Sequence, residues 1–409
     1  MVRYGNIAGI SLEEALNRIN ETFSPLKGEE AVKITEAAGF VASRDYVAKE
    51  PYPSFNRSAM DGYAVNSRDI KEAGVESAVA LRVKGIVYAG DTSKLKYEEG
   101  TAVRIMTGAE VPEGYDCVVK QEDTDFGEDL VKVYVSLPPG MNVSPVGESY
   151  MSGDCLIKKG TRLKRTEIGI LAGLGYEEVF VMKPLKVAVI STGSELLRPG
   201  ESNAPGKIYN NVSAMLVSSI KAGGSIVVSD LMIADDVSEI IKAVTGCSKK
   251  ADVVITTGGV SVGAKDHMHE ALDEAGAGKL FYRTAIQPGT PTIFAVLNNT
   301  PVLCLSGNPY AALVNFDLFF RELASVLSGC PDFRLKREKA VITDAYDKKN
   351  ILRRFIRGVA EGGRVRPEKS KNRSSVISDM TGCNCYIDVP KETSLAAGDT
   401  VDIILMKDM

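Results

Sequence analysis

One run, from Ala251 to Ala271, limits the possible folds more than any other. Val253 to Thr256 are all β-branched, the run stops at Gly258-Gly259, and a helical pattern opens after Gly263 through Asp266, His267 and His269. That order predicts a buried parallel strand delivering the chain to a helix at the carboxyl edge of a sheet. Glycines at such a junction let backbone N–H groups approach a ligand with no Cβ in the way. The helix N-terminus beyond them carries partial positive charge, so the turn suits a phosphate or another anion. Asp266 is placed either to cap that helix or to reach into the same crevice, and local pattern alone leaves both open.

The neighbouring sequence repeats the unit. Between 186 and 328, strands are expected at KVAVIST, SIVVSDLMI, DVVITTG, KLFYRTAI, TPTIFAVL and TPVLCLSG. Helices are expected at NVSAMLVSSIKAG, DVSEIIKAVTG, AKDHMHEALDEA and YAALVNFDLFFRELASVLSG. Apolar strands separated by amphipathic helices predict a doubly wound sheet covered on both faces. Its ligand crevice should lie beyond the strand carboxyl ends. Five polar loops are predicted to gather there: Ser191 to Glu195, Asp235-Asp236, Thr257 to Gly259, Gln287 to Thr290, and Ser306 to Pro309. In the last, Asn308 takes the cap position and Pro309 the first helical turn.

A chain of 409 residues is too long for one core, and its flanks read differently. Ser11 to Glu14 is a capping-box pattern opening a helix with Leu12, Ala15, Leu16 and Ile19 on one face. A second helix is expected within 32–48, ending near Arg44, and another over 164–176. From Ala78 to Val135 short alternating segments predict a β-rich module, a small barrel or sandwich, with Thr107 and the Gln121-Glu122-Asp123 cluster at one rim. Asp61 sits just before it, beside Gly62, on a loop broken by proline. After Gly329 the alternation predicts a small antiparallel barrel. Its basic residues Lys336, Arg337, Lys339, Arg353, Arg354 and Arg357 are read as a solvated face, with neutralisation of a charged ligand as the alternative. The expected division is a discontinuous helical N-terminal domain (1–50 and 143–180), the inserted β module (51–142), the α/β domain (181–328) and the barrel (329–409).

Charge and composition exclude several classes. Lys and Arg total 49 against 53 Asp and Glu, a net charge of −4, which gives no bulk attraction to nucleic acid. No apolar run approaches the roughly 20 residues of a membrane span. The N-terminal stretch lacks a signal-peptide order, so the cytoplasm is the expected compartment. Seven scattered cysteines, odd in number, make no disulfide framework, and Cys383-Asn384-Cys385 reads as strand alternation.

With these residues assembled, a resemblance is visible. SAMDGYAV, IMTGAEVPEGYDCVVKQED, VAVISTGSEL, ADVVITTGGVSVG and LSGNP, in that order, resemble the molybdopterin molybdotransferases, the MoeA and gephyrin E-domain family. The resemblance spans nearly the whole chain. It implies a MogA-like α/β domain within a four-domain subunit. It also implies a homodimer whose active site forms where the α/β domain of one subunit meets the inserted module of the other. The implied reaction takes adenylylated molybdopterin and molybdate (or tungstate), releases AMP with magnesium assistance, and leaves the metal on the dithiolene. Possible partners are a molybdopterin adenylyltransferase and apo-molybdoenzymes.

By this resemblance Glu195, Asp235 and Asp266 are the expected magnesium ligands and, with Asp61, the catalytic acids, since a hard cation wants oxygen donors. The expected substrate-binding set is Thr107, Thr192, Gly193, Thr257, Gly258, Gly259, Ser261, Gly263, Arg283, Gln287, Gly289, Ser306, Gly307, Asn308 and Pro309. His267 and His269 are expected to cap the helix or lie on the surface, with a ligand or anion-pairing role as the alternative. The chain departs from the family at several places: Ser194 for the usual aspartate, Ser144 to Ser149 for a run of arginines ending in Gly-Glu-Asp, Asn211 for an aspartate, and Gln287 and Thr290 for lysines. Each lost cation removes a charge-assisted hydrogen bond. Two functional classes follow: an insertase, favoured by the retained acids, or a catalytically impaired pterin-binding carrier or scaffold, favoured by the lost basic groups.

Overall fold

The computed structural model describes residues 9–92, 94–260, 267–368 and 373–406. By internal contacts the chain divides into two compact units, residues 1–44, 159–172 and 176–409 forming one and residues 45–158 and 173–175 the other.

The larger unit is built on a six-stranded sheet. Ile226–Ile233, Lys186–Thr192, Val253–Thr257 and Thr300–Leu305 run parallel in that spatial order, and Ile293–Leu297 and Gly278–Tyr282 extend it antiparallel. The central strands Lys186–Thr192, Val253–Thr257 and Thr300–Leu305 are buried almost throughout. That matches their continuous β-branched and aliphatic runs, because a sheet covered on both faces has no polar side. Asn211–Ala222 and Val237–Ser248 follow their strands as expected, the first capped by Asn210 and the second by Asp236. The long C-terminal helix is interrupted, with Pro309–Asn315 and Arg321–Ser328 separated by a π-helical turn at Phe316–Phe320.

The helix Leu12–Thr22 opens with Ser11 accepting from the Glu14 N–H at 3.1 Å. Its buried face, Leu12, Ala15 and Ile19, joins the same apolar core as the central strands. Arg18 also donates to the Leu280 carbonyl at 2.8 Å. The expected helix over 32–48 is not formed, and no helical N-terminal domain is evident. Glu29–Lys33 is a strand paired antiparallel with Glu178–Met182, followed by one 3₁₀ turn at Ile34–Glu36. Ala42 bridges Val181 and Val41 bridges Arg162, so the segment stays extended. Its apolar residues recur irregularly, and the β-branched ones find strand partners far along the chain, so tertiary pairing overrides helix propensity. Of the expected helical residues in this region, Arg165–Gly173 is helical.

The C-terminal segment closes a five-stranded barrel. Arg353–Glu361, Arg364–Pro367, Arg337–Ile342, Thr400–Leu405 and Cys385–Val389 pair in turn, and the last pairs again with the first. Ile286–Gln287, which leaves the α/β sheet, adds parallel to the barrel strand Arg353–Glu361 with Gln287 opposite Arg354. The barrel and the α/β domain share apolar core through Phe355, Tyr386 and Ile404.

The second unit holds one five-stranded sheet, ordered Cys117–Lys120, Gly62–Val65, Thr101–Ile105, Val79–Val87 and Leu130–Val133. Apolar side chains cover both faces. Past the first of these strands Thr124 bridges Val133 of the opposite edge, so the expected barrel or sandwich is a single sheet curled toward closure. No helix among the described residues is long and apolar enough to cross a membrane.

Candidate active site

A cavity of about 1230 Å³ opens beyond the carboxyl ends of the parallel strands. The described residues of all five expected loops reach it: Thr192, Gly193 and Glu195; Asp235; Thr257, Gly258 and Gly259; Gln287, Gly289 and Thr290; and Ser306, Gly307, Asn308 and Pro309. Asn211, at the start of its helix, also lines it. Ser261, Gly263 and Asp266 lie outside the described residues. Arg283 does not line the cavity; its backbone is left-handed, with φ of 62°, and its N–H and C=O bond Thr292 and Ile10.

Backbone proximity shapes this wall. Gly258 has φ of 94°, and a Cβ there would lie 2.4 Å from the Thr192 carbonyl oxygen. Only glycine fits, which is why the strand ends in Gly-Gly. The Glu195 carboxylate folds back over Gly193, its oxygens 2.8 Å from where a Cβ would sit. Asp236 caps its helix through bonds from Ser238 Oγ at 2.6 Å and the Glu239 N–H at 3.1 Å, and these hold its carboxyl below the usual range, the Ser238 bond most. Its neighbour Asp235 is therefore not needed as a cap. Oδ1 of Asp235 is buried, has no hydrogen-bond partner among the described residues, and lies 3.5 Å from the Cβ position of Gly259. A buried carboxylate oxygen left unpaired is costly unless a ligand or cation meets it.

The turn at Gln287–Thr290 is held from behind. Buried Asn315 donates to the Gly289 carbonyl at 2.8 Å, and Thr292 Oγ1 donates to the same oxygen at 2.8 Å. Asn308 occupies the expected cap position, but its side chain makes no capping bond and is left to face the cavity.

Of the opposite wall, the sequence offered only the alternative reading of the basic cluster around Arg354. Lys348, Arg354, Arg373, Ser374 and Ser375 of the terminal barrel segment line the same cavity. The expected solvated basic face is therefore wrong for its central arginines. Arg357 is fully buried, with its guanidinium 3.7 Å from the Tyr310 ring centroid. It also donates to the Arg373 carbonyl at 3.1 Å. Arg353 bonds buried Asp388 at 2.7 and 2.6 Å, and Arg337 pairs with the same carboxylate at 3.1 Å. Arg354 is buried and donates to Asn350 at 2.9 Å. Only the pairing of Ile286–Gln287 with Arg353-Arg354 brings this strand to the crevice, and no local pattern announces that pairing. The Ser374 carbonyl, in turn, accepts from the Tyr310 N–H at 3.0 Å, which fixes the loop after Arg373.

Neither histidine lines the cavity. His269 packs edge-on against Tyr282 with ring centroids 4.0 Å apart, and burial lowers its pKa; His267 lies 3.9 Å from Glu270. Among the described residues no three His, Cys, Asp or Glu side chains gather as a metal cluster.

In the second unit, Asp61 and Thr107 come together. The Asp61 carboxylate accepts from the Thr107 N–H and Oγ1, both at 2.7 Å, and these bonds lower its pKa, the backbone one most. Its carbonyl accepts from the Gln121 N–H at 3.1 Å, so the rim expected from sequence exists. Gly62 is required next to it because a Cβ would lie 1.9 Å from the Val119 carbonyl oxygen. Among the departures, Ser149 donates its N–H to the Tyr52 carbonyl, and the Ser194 carbonyl accepts from Lys207.

Fold and site together define a class: an α/β domain with a polar, glycine-lined cavity at the carboxyl edge of its sheet, and an accessory barrel whose basic residues line the same cavity. The particular family follows from comparison. Residues 10–175 match the MoeA N-terminal region (domain I and II), 188–325 the probable molybdopterin binding domain, and 339–406 the MoeA C-terminal region (domain IV). The chain is 34% identical over 410 residues to the molybdopterin molybdenumtransferase of Bacillus subtilis, covering 98% of this chain and 94% of that protein. It is also 34% identical over 380 residues to molybdopterin molybdenumtransferase 2 of Mycobacterium tuberculosis, covering 91% and 94%. The crystal structure of the molybdopterin biosynthesis MoeA protein from Pyrococcus horikoshii matches with TM-score 0.83 at 28% identity, covering 97% of this chain and all of that one. The chain belongs to the MoeA family of molybdopterin molybdenumtransferases.

Proposed function

We propose that this chain is a working molybdenumtransferase of molybdenum cofactor biosynthesis: it binds adenylylated molybdopterin and molybdate, releases AMP, and leaves the metal on the pterin dithiolene. The observation that carries this reading is the two-sided cavity, acidic and glycine-lined on the sheet edge, basic on the barrel side. The substrates carry matching chemistry. Phosphate oxygens suit the backbone donors of Gly259 and Gly307, and an oxyanion suits Arg354, Arg373 and Lys348. Cation loss at Gln287 and Thr290 is offset by these barrel residues, which removes the main support for a carrier or scaffold.

Magnesium fits the acidic wall. The unpartnered Oδ1 of Asp235 is a hard oxygen donor, Glu195 lies in the same wall, and Asp266 would complete the expected set with phosphate oxygens filling the remaining positions. When bound, the ion would neutralise charge on the adenylate phosphate. The residues themselves orient the pterin phosphate against the glycine turns and hold molybdate at the barrel arginines.

A second copy is expected to complete the site. Exposed apolar side chains Tyr52, Phe55 and Met60 precede Asp61 in sequence, and Met141, Val146 and Met151 come from a segment far along the chain. They stand on segments joined by bonds such as Ala59 N–H to the Asn142 carbonyl, a surface suited to burial in a homodimer. A molybdopterin adenylyltransferase would then deliver substrate and apo-molybdoenzymes receive product, in the cytoplasm.

The test incubates the protein with adenylylated molybdopterin, magnesium and molybdate, then follows AMP release and reconstitution of an apo-molybdoenzyme. Molybdate-dependent AMP release is expected. Pterin binding with no release at millimolar molybdate or tungstate would reject the insertase. Mixing inactive Asp61→Asn and Glu195→Gln proteins should restore part of the activity if the site is shared between subunits.

A further inference from the structure

Resting on the function just proposed, we infer that Tyr209 is a stacking platform for a planar heteroaromatic ring of the substrate. The cavity is polar over most of its wall, yet one lip carries exposed apolar side chains: Ile208 is 59% exposed and Tyr209 is 44% exposed. Both line the cavity, and Tyr209 is the one aromatic side chain among its described lining residues.

An exposed aromatic ring is unremarkable if it is loose, but this one is anchored. The Tyr209 hydroxyl donates to the Glu201 carbonyl at 2.9 Å, which fixes the far end of the ring. Ile208–Tyr209 pairs in parallel with Leu196–Leu197. The Ile208 N–H donates to the Glu195 carbonyl at 2.9 Å, and the Asn210 N–H donates to the Leu197 carbonyl at 2.9 Å. The ring is thus tied to the segment that carries Glu195, with its orientation set before any ligand arrives. A preorganised aromatic face at the mouth of a phosphate-binding cavity costs little entropy to use, and it stacks on any π-face without reading base identity. Adenylylated molybdopterin offers two such faces, adenine and pterin. The two rings flank the phosphates, on whose oxygens the glycine turns act.

The test measures equilibrium binding of AMP, a soluble pterin and ribose 5-phosphate to the wild-type protein and to Tyr209→Ala, Tyr209→Phe and Tyr209→Trp. Tyr209→Ala should weaken one ring-bearing ligand by roughly tenfold, leave ribose 5-phosphate unchanged, and be rescued by Tyr209→Trp. Loss for AMP alone assigns the adenine, and loss for the pterin alone assigns the pterin. Unchanged binding of both rings overturns the inference, as does equal weakening of ribose 5-phosphate, which would mean a distorted loop. A change in sedimentation with ring binding intact would make Tyr209 a contact between copies and also overturn it. Molybdate-dependent AMP release by the wild-type protein is scored separately, so failure of the stacking role leaves the transferase reading standing.

Discussion

The two walls of the cavity reach similar ends by different physics. The sheet-edge wall presents backbone: Gly258 and Gly259 are left-handed turns packed against Thr192 and Asp235, and the Gly258 N–H is tied to the Leu305 carbonyl, so the donors left on this wall are fixed in place. The barrel wall binds through side chains, and long arginines must be immobilised to be useful. Arg354 is held by Asn350, and the loop after Arg373 is held by Arg357 and Tyr310. One wall is specified by what is absent, a Cβ. The other is specified by a network of partners, and the difference teaches that glycine turns can be read as motifs whereas braced cations cannot.

The contrast can be broken at four places. The largest effect is expected from Glu195→Gln on the sheet edge. Loss of this carboxylate should lower AMP release by at least about a hundredfold while leaving the thermal transition in place, and an unchanged rate would remove Glu195 from the mechanism. On the barrel wall, Arg373→Ala should raise the molybdate dissociation constant roughly tenfold to a hundredfold, the equivalent of about 1.5–3 kcal/mol for one charge-assisted bond. Titration at rising ionic strength checks this, because the wild-type affinity should fall with salt and the variant's should fall less.

Gly258→Ala asks whether the backbone wall tolerates a side chain. With φ of 94° and 2.4 Å to the Thr192 carbonyl, the methyl group should cost roughly 1–3 kcal/mol of folding stability by denaturant titration. AMP affinity should fall with it. The smallest effect on folding stability belongs to Asp61, whose anchor lies in the other unit. Its lowered pKa means that its stabilising contribution is full above the ordinary value of 3.8 and fades as pH falls through the lower folded-state value. Thermal melts of the wild type and Asp61→Asn should therefore converge at acid pH; a gap that widened there would contradict the Thr107 bonds as its source.

Much of this was legible in the sequence. Continuous apolar runs marked the α/β strands, Ser11 and Asn308 marked helix starts, and the glycine-terminated strands marked the crevice, because these signals act within a few residues. The expected helix over 32–48 failed for the converse reason: its residues are held by Glu178–Met182 and Arg162, far away in the chain, and no local propensity reports that pairing. The same holds for the solvated basic face. Arg353 and Arg357 look like exposed charges until Asp388 and Tyr310 are seen beside them.

The sequence by itself determined the positions where backbone must approach a ligand and the acids that stand next to them, since a missing Cβ and a short carboxylate act locally. Only the tertiary structure decided where the compensating positive charge comes from. Arginine is long and costly to desolvate, so its role is set by the partners that bury it, and those partners are brought together by the strand Ile286–Gln287 joining the terminal barrel.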